Sequence, residues 1–591
     1  MTYAAPLCDM IFALEEIAGI NEIAALPGYG EATPDVVQSI LEEAGKFAAG
    51  ILAPLNRIGD EQGSGLENGV VRTPEGFRDA YAKFVAGGWN SLQFDPAHGG
   101  QGLPWALAAM IQEMVTSACM SFSLCPLLTQ GAVELLTSHG SVAQKQTYLR
   151  KLVSGEWSGT MNLTEPQAGS DVGALRTRAV REGERYRITG QKIFITYGEH
   201  DMAENIVHMV LARTPDAPPG VKGISLFIVP KFLVGAGGAL GARNDLRCVA
   251  LEQKMGIHGS PTAVMAYGDS GGAIGELVGE ENRGIEYMFT MMNSARLSVG
   301  IEGLAIAERA YQQARDYAKG RIQGRAADSA SPVPIIRHPD VRRMLMTMRA
   351  QIEAMRAMVA FVAGAVDRSK RHPDAAERAR HQAMVDLLTP VTKAWCTDTG
   401  CAVTSMAVQV HGGLGFIEST GAAQHFRDAR IAPIYEGTNG IQAIDLVSRK
   451  VARDEGTGMR SLIDAMSRTV EAAKHGTDAD RLTTPLSDAV AALSRATESL
   501  VATMTRDRAG TLAVATPYLA LVGTVVGGWL LAKSALDARR RHAAADAGGY
   551  FAAREGIARF YAANLLPHAG ALSRVVMDGG PSTMALAEDQ F

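Results

Sequence analysis

Hydrophobic periodicity switches twice along this 591-residue chain, and the two switches constrain its architecture more than any other feature. Residues 36–53 place Val36, Val37, Ile40, Leu41 and Phe47 at helical intervals, and helical patterns resume through 104–137 and 141–153. Near residue 160 the period shortens to two. Residues 185–196 alternate, and 205–212 and 223–229 are short apolar runs, so all three read as strands. A loop with three prolines, residues 214–223, separates the last two. Helical spacing returns at Gly284 and persists to Lys450, broken only at 326–339 and around His372-Pro373-Asp374. Residues 451–591 are Ala-rich and again helical in spacing. So long a chain exceeds one core, and roughly three or four domains are expected. The pattern predicts an α+β, mainly α fold in four parts: a helical domain 1–159, a β-domain 160–279, a helical domain 280–450 and a helical extension 451–591.

Charge and cysteine usage exclude several functions. Net charge is −5 with no long basic block, which argues against nucleic acid, because phosphate binding needs clustered cations. The short run Arg539-Arg540-Arg541 reads as a solvated helix face. The six cysteines show no Cys-x-x-Cys spacing, so neither a zinc nor an iron–sulfur site is indicated. Free thiols fit a reducing compartment, and a cytoplasmic protein is expected. Acids Asp9, Glu15 and Glu16 interrupt the N-terminal apolar residues, unlike a signal peptide. Residues 509–532 carry no charge and are long enough to span a bilayer. Pro517 and glycines 510, 523, 527 and 528 break the run, so a buried helix pair is expected there and no membrane span.

Three motifs carry the chemistry. Residues 434–442 read Ile-Tyr-Glu-Gly-Thr-Asn-Gly-Ile-Gln and place Glu436 between an apolar run and a turn. Such a turn can present a carboxylate at a pocket edge, partly desolvated, with the raised proton affinity of a general base. A solvated loop Glu is the competing reading of that residue alone. Upstream stand Met-Asn-Leu-Thr-Glu-Pro-Gln-Ala-Gly-Ser-Asp at 161–171 and Gln-Val-His-Gly-Gly-Leu-Gly-Phe at 409–416. In this order the three motifs resemble the acyl-CoA dehydrogenase family, over residues 35–450. The extension resembles the long bacterial branch that includes 3-methylmercaptopropionyl-CoA dehydrogenases.

That resemblance implies helix, sheet and helix domains with FAD between the second and third. It also implies α,β-desaturation of an acyl thioester, with Glu436 as the base that takes the α-proton. Some branches supply the base from a helix just before an Arg; here that place is Ala295, before Arg296. By the same resemblance Leu163 and Thr164 meet the flavin ring, and Ser170 lies near the diphosphate or the pantetheine arm. A Ser helix cap would explain Ser170 equally. Phe194 covers the flavin where relatives carry Trp, and Thr196 reaches its N5 region. Strand alternation would point both to one face. A Phe packed into a strand core is the alternative for Phe194. Arg296 matches a family Arg on the helix that lines the acyl pocket, a substrate-site residue that would hold that helix or the loop carrying Glu436, with a surface salt bridge as its rival reading. Tyr435 and Gly437 flank the base and face substrate. Gln409, Gly412 and Gly413 meet the adenosine half of FAD from a neighbouring subunit, which implies at least a homodimer.

Two departures stand out. The family's Arg-x-x-Phe-Gly is replaced by Arg321-Ile322-Gln323-Gly324, leaving Arg321 as a candidate for phosphate. Gly440 stands where many relatives carry a polar side chain, so Thr438 and Asn439 become the cofactor candidates of that turn. The expected partners are an acyl-CoA, with 3-methylmercaptopropionyl-CoA or a short- or medium-chain fatty acyl-CoA as substrate, and an electron-transferring flavoprotein as acceptor. An acyl-CoA oxidase and a non-enzymatic flavoprotein of the same fold are the rival functions.

Overall fold

The structure is a computed structural model that describes residues 3–474, 480–542 and 549–591. By compactness the chain divides into two units. The first is chiefly Glu43–Leu103 and Met114–Ser298, and the second is Ala5–Glu42, Pro104–Glu113 and Val299–Phe591.

The first unit is organised by a sheet. A short hairpin, β1 (Gly65–Glu67) and β2 (Val70–Arg72), precedes it. There follow β3 (Trp157–Asn162), β4 (Arg178–Glu182), β5 (Arg185–Thr196), β6 (Asn205–Ala212) and β7 (Ser225–Pro230). A second small hairpin, β8 (Phe232–Val234) with β9 (Leu240–Arg243), leads to β10 (Leu246–Leu251), β11 (Thr262–Tyr267) and β12 (Ala273–Leu277). The strand order is β10-β11-β5-β12-β7-β6-β3, with β4 on β5. Only β3 and β6 run parallel among these pairs. Every residue of β6 and β7 is buried, which is why both read as unbroken apolar runs. Tyr186, Ile188 and Ile195 of β5, Phe227 of β7 and Met265 and Tyr267 of β11 share one core cluster, and Val71 of β2 joins it.

The second unit is a helical assembly. The helix Gly284–Gly320 enters it at Val299 and crosses Ala375–His411 almost backbone to backbone. A Cβ on Gly303 would lie 2.4 Å from the Cys396 carbonyl oxygen, and one on Gly400 would lie 2.5 Å from that of Gly303. Only glycine fits both positions, so the crossing point is fixed.

The extension shares this core. Helices Thr457–Ala473, Asp480–Thr503, Ala515–His542, Tyr550–Asn564 and His568–Thr583 build it. The run 509–532 does divide between two helices, but the break falls at Val514 and not at Pro517 or the glycines, where the sequence led us to expect it. Ala515–His542 is one continuous helix after the short Arg508–Ala513. Its glycines are close-packing sites instead: a Cβ on Gly523 would lie 2.2 Å from the Trp395 ring, and one on Gly528 2.5 Å from Leu566. The apolar window within Ala515–Arg541 has mean hydropathy 1.6, and burial of 78% of it accounts for that apolarity. The arginine run is not simply solvated either. Arg539 pairs with Glu555 at 2.9 Å and Arg541 with Glu15 at 2.7 Å. The N-terminal segment is clasped in the same way: Arg554 lies over the Phe12 ring at 4.0 Å and bonds Asp9 at 3.0 Å.

Candidate active site

In the first unit the candidate residues gather at the ends of two neighbouring segments. The Ile193 N–H donates to the Thr164 carbonyl at 2.9 Å, and Lys192 Nζ donates to the Leu163 carbonyl at 3.0 Å. Glu165 closes a tight turn with Ala168 through two backbone bonds of 3.1 and 2.9 Å. Its buried carboxylate accepts from Lys192 Nζ at 2.8 Å, Thr177 Oγ1 at 2.6 Å and the Arg176 N–H at 2.6 Å. Burial alone would push this carboxyl up, but the Lys192 ammonium and the hydrogen bonds outweigh it and hold it at about 2. Burial in turn brings the Lys192 ammonium down to about 8. The pair is ionised at neutral pH and clamps Leu163 and Thr164 against β5.

The alternation expected of Phe194 and Thr196 is interrupted. β5 bulges against β11 between Ala263 and Met265, and Phe194 takes a left-handed backbone with φ 60°. Lys192 is therefore inside while Phe194, two residues on, is 58% exposed. Exposure excludes the core reading of Phe194. A left-handed aromatic residue is costly and persists only where its surroundings impose it. Tyr197, also left-handed, is itself tied down by donating its hydroxyl to the Ser121 carbonyl at 2.7 Å. Thr164 and Thr196 are half-buried. Ser170 is exposed and is not a cap; Asp171 caps the next turn, accepting from the Gly173 N–H at 3.0 Å. Arg296 is buried, with Nη1 donating to Asn293 Oδ1 at 3.2 Å, so it is not a surface salt bridge.

In the second unit, Glu436 sits on a turn whose every flank is tied down. Glu436 and Gly437 are both left-handed, at φ 56° and 86°. Holding a non-glycine residue there costs about 1–2 kcal/mol. The Asn439 N–H donates to the Pro433 carbonyl at 2.9 Å, and Thr438 caps Asn439–Asp445 by accepting from the Ile441 N–H at 3.3 Å. Gln442 Nε2 donates to the Glu436 and Gly437 carbonyls at 3.3 and 3.2 Å. Lys393 Nζ donates to the Gly437 carbonyl at 2.9 Å and to Asn439 Oδ1 at 2.8 Å. Glu436 itself is half-buried.

The structure gives Asn439 a different role from the cofactor contact expected of it. Its buried amide donates to Thr397 Oγ1 at 3.0 Å, Asp398 Oδ1 at 2.8 Å and the Ala394 carbonyl at 3.1 Å. With Lys393 on its oxygen, that side chain is spent on anchoring the turn to Ala375–His411. Tyr435 likewise donates its hydroxyl inward, to Glu302 Oε2. Burial pushes the Glu302 carboxyl up to about 8, and the Glu436 charge adds to it, while the Tyr435 hydroxyl and the Lys393 ammonium act the other way.

Glu302, Lys393 and Gln442 escaped the motif reading. The signal was present for two of them: each is a lone charge in an apolar helical run, Leu297–Ala307 and Leu387–Cys396.

Gln409, Gly412 and Gly413 are not brought to this turn. Gln409 lies sixteen residues beyond Lys393 on one helix, about 24 Å along its axis. The segment Gly412–Phe416 is mostly exposed, with Phe416 at 85%. A Cβ on Gly412 or Gly413 would meet nothing within 4 Å, which leaves their backbone open. His411 is a spacer, stacked on Tyr317 at 4.5 Å with Nδ1 on the Ala407 carbonyl at 2.7 Å. Arg321 is exposed beside the small hairpin Ile322–Arg325 and Pro332–Pro334. In each unit the donor set suits a flavin dinucleotide: uncharged hydroxyls beside an exposed aromatic plate in one, and open glycine backbone in the other.

Comparison with known proteins covers nearly the whole chain. Family profiles described as acyl-CoA dehydrogenase N-terminal, middle and C-terminal domains match residues 36–156, 160–269 and 282–451. A profile described as acetyl-CoA dehydrogenase C-terminal like matches 462–587. The chain is 49% identical over 588 residues to 3-methylmercaptopropionyl-CoA dehydrogenase of Ruegeria pomeroyi, covering 99% of each. It is 33% identical to a butyryl-CoA dehydrogenase of Syntrophomonas wolfei, over 100% of this chain and 99% of that one. The crystal structure of acyl-CoA dehydrogenase complexed with FAD from Bacillus anthracis superposes with a TM-score of 0.75 at 20% identity, over 98% of this chain and 92% of that one.

Proposed function

The chain belongs to the acyl-CoA dehydrogenase family, and from that premise we propose that it desaturates 3-methylmercaptopropionyl-CoA to methylthioacryloyl-CoA with Glu436 as the base. As a member it is an FAD-dependent oxidoreductase acting on an acyl-CoA thioester. The identity of 49% over both full lengths carries the substrate reading. A short-chain fatty acyl-CoA is the second reading, favoured by the butyryl-CoA dehydrogenase that matches end to end.

The thioester carbonyl acidifies the α-C–H bond. Glu436 takes that proton, and its C–H electron pair becomes the new α,β double bond as the β-hydrogen departs with its own pair. Accepting that hydride is the chemistry that bound FAD supplies. The observation behind the base is the half-buried, left-handed Glu436 on a turn anchored from both sides, a strain that needs a reason. Leu163, Thr164 and Thr196 would hold the flavin ring, Phe194 would cover it, and Ser170 would serve the diphosphate or pantetheine. Thr438 would reach the cofactor from the base's own turn. Arg296, Tyr435 and Gly437 would shape the acyl pocket. The separation of about 24 Å supports assigning Gln409, Gly412 and Gly413 to the cofactor of a second copy, hence a homodimer at least. Arg321 is left as a phosphate candidate by its exposure alone. An electron-transferring flavoprotein would collect the electrons, in the cytoplasm.

A panel of acyl-CoA substrates with an artificial electron acceptor tests the reading. The highest kcat/KM is expected for 3-methylmercaptopropionyl-CoA. A butyryl-CoA value at least tenfold higher would transfer the assignment to the second reading, and peroxide formation in air would indicate an oxidase.

A further inference from the structure

We propose that Glu302 is a positioning residue which holds the base's turn as a neutral carboxylic acid, so that it adds no negative charge beside Glu436. The inference rests on Glu436 being the base. Its ground is a cluster within the second unit. Glu302 lies next to Gly303, where two helices meet backbone to backbone, and it is 0% exposed. One oxygen, Oε2, receives the Tyr435 hydroxyl. The other, Oε1, has no hydrogen-bond partner among the described residues. Tyr435 directly precedes the left-handed Glu436, so this bond fixes the residue that sets the base's direction.

Charge balance decides the protonation state. The ionisable groups that face Glu302 are Tyr435 and Glu436 from the turn and Lys393 from Ala375–His411. Asp398, which accepts from Asn439, also interacts with Lys393, so carboxyls outnumber the one ammonium of this cluster. A second anion would be buried with one oxygen unbonded, which costs far more than a neutral acid hydroxyl in the same place. The buried member keeps the proton, and the half-buried Glu436 stays ionised and able to accept one. The raised proton affinity of Glu302, at about 8, agrees.

This has a kinetic consequence. As pH rises through about 8, Glu302 ionises beside the base. A second negative charge then opposes the negative charge that builds on the thioester as the α-proton leaves. It has a stability consequence too. The folded-state pKa is raised above the unfolded carboxyl value, so the folded state keeps a proton that the unfolded chain releases. Stability therefore falls as pH rises from the unfolded value of about 4.3 towards 8.

Flavin-loaded full-length wild type, Glu302→Gln, Glu302→Ala, Tyr435→Phe and Glu436→Gln are compared from about pH 5.5 to 9.5, with the best acyl-CoA of the panel. Wild-type kcat/KM should fall above about pH 8, and Glu302→Gln should lose that alkaline limb. Glu302→Ala should lose roughly 10²-fold in kcat, and the Gln variant should recover most of it. In Tyr435→Phe the limb should move to higher pH, because the hydroxyl that favours the charged form is gone. The melting temperature of Glu302→Gln should exceed wild type by more at about pH 8.5 than at 5.5. Alkaline limbs and melting differences unchanged between wild type and Glu302→Gln would overturn the proposal. So would a Gln variant as slow as the Ala variant at about pH 7, because the charge would then be required. If Glu302→Gln does not fold, Tyr435→Phe decides, and an unmoved limb rejects the role. Glu436→Gln isolates the underlying reading: near-wild-type activity there removes the base, whereas the melting comparison bears on Glu302 alone.

Discussion

Two regions of this protein each force a large non-glycine side chain into a left-handed backbone, and they hold it by opposite electrostatic means. At the end of β5, Phe194 at φ 60° stands beside the ionised pair Lys192–Glu165. On the turn before Asn439–Asp445, Glu436 at φ 56° stands beside Glu302, whose carboxyl is pushed up rather than down. Both supports are buried glutamates facing a buried lysine. The difference lies in what surrounds them. Glu165 accepts from one ammonium, one hydroxyl, one side-chain amide and two backbone N–H groups. Glu302 accepts from one phenol, while Lys393 donates to the turn's own oxygens. Burial does not by itself set the charge of a carboxyl; the count of donors does.

The comparison breaks first if Lys192 can be removed cheaply. Lys192→Met should leave Glu165 as an unpaired buried charge and cost about 3–5 kcal/mol in urea unfolding, with loss of flavin. A cost below about 1 kcal/mol would show that the first support is not ionic. Asn439→Ala deletes the side chain's hydrogen bonding to four partners and should cost about 2–4 kcal/mol. Its kcat should fall more than its KM changes, because the turn and not a substrate contact is lost.

Opposite pH dependences sharpen the contrast. Glu165 has a depressed pKa, so its stabilisation is present at neutral pH and is lost as pH falls from the ordinary carboxyl range towards about 2. Glu302 acts in the other direction, between the ordinary range and about 8. Melting curves of Glu165→Gln should differ from wild type least in acid, and those of Glu302→Gln most in alkali. The smallest effect is expected away from both regions. Arg541 is partly exposed, and Arg541→Ala should cost about 1 kcal/mol or less despite its pairing with Glu15 and Glu16. A larger loss would make the N-terminal clasp a third support.

Much of this was legible in the sequence because motifs and periods are local properties. The change of period near residue 160 corresponds to the sheet that begins at Trp157, and helical spacing from Gly284 to the helix Gly284–Gly320. The unread parts depend on contacts between distant segments. Asn439 looks like a turn residue and is in fact an anchor, because its partners lie more than forty residues away. Phe194 reads as half of an alternating pair until the bulge against β11 turns it outwards. Gly523 and Gly528 read as helix breaks, since sequence carries no sign of Trp395 and Leu566 pressed against them. Glu302 and Lys393 are lone charges in apolar runs, a pattern that marks a buried site without naming its partner.

The central claim is that Glu436 takes the α-proton. Anaerobic mixing of 3-methylmercaptopropionyl-CoA with flavin-loaded wild type and Glu436→Gln, followed by bleaching of the flavin absorbance, tests it most directly. Both proteins should carry the same FAD content, and the variant should bleach roughly 10²–10⁴-fold or more slowly, since an amide cannot accept the proton. Bleaching within about tenfold of wild type at equal flavin content would contradict the assignment of Glu436.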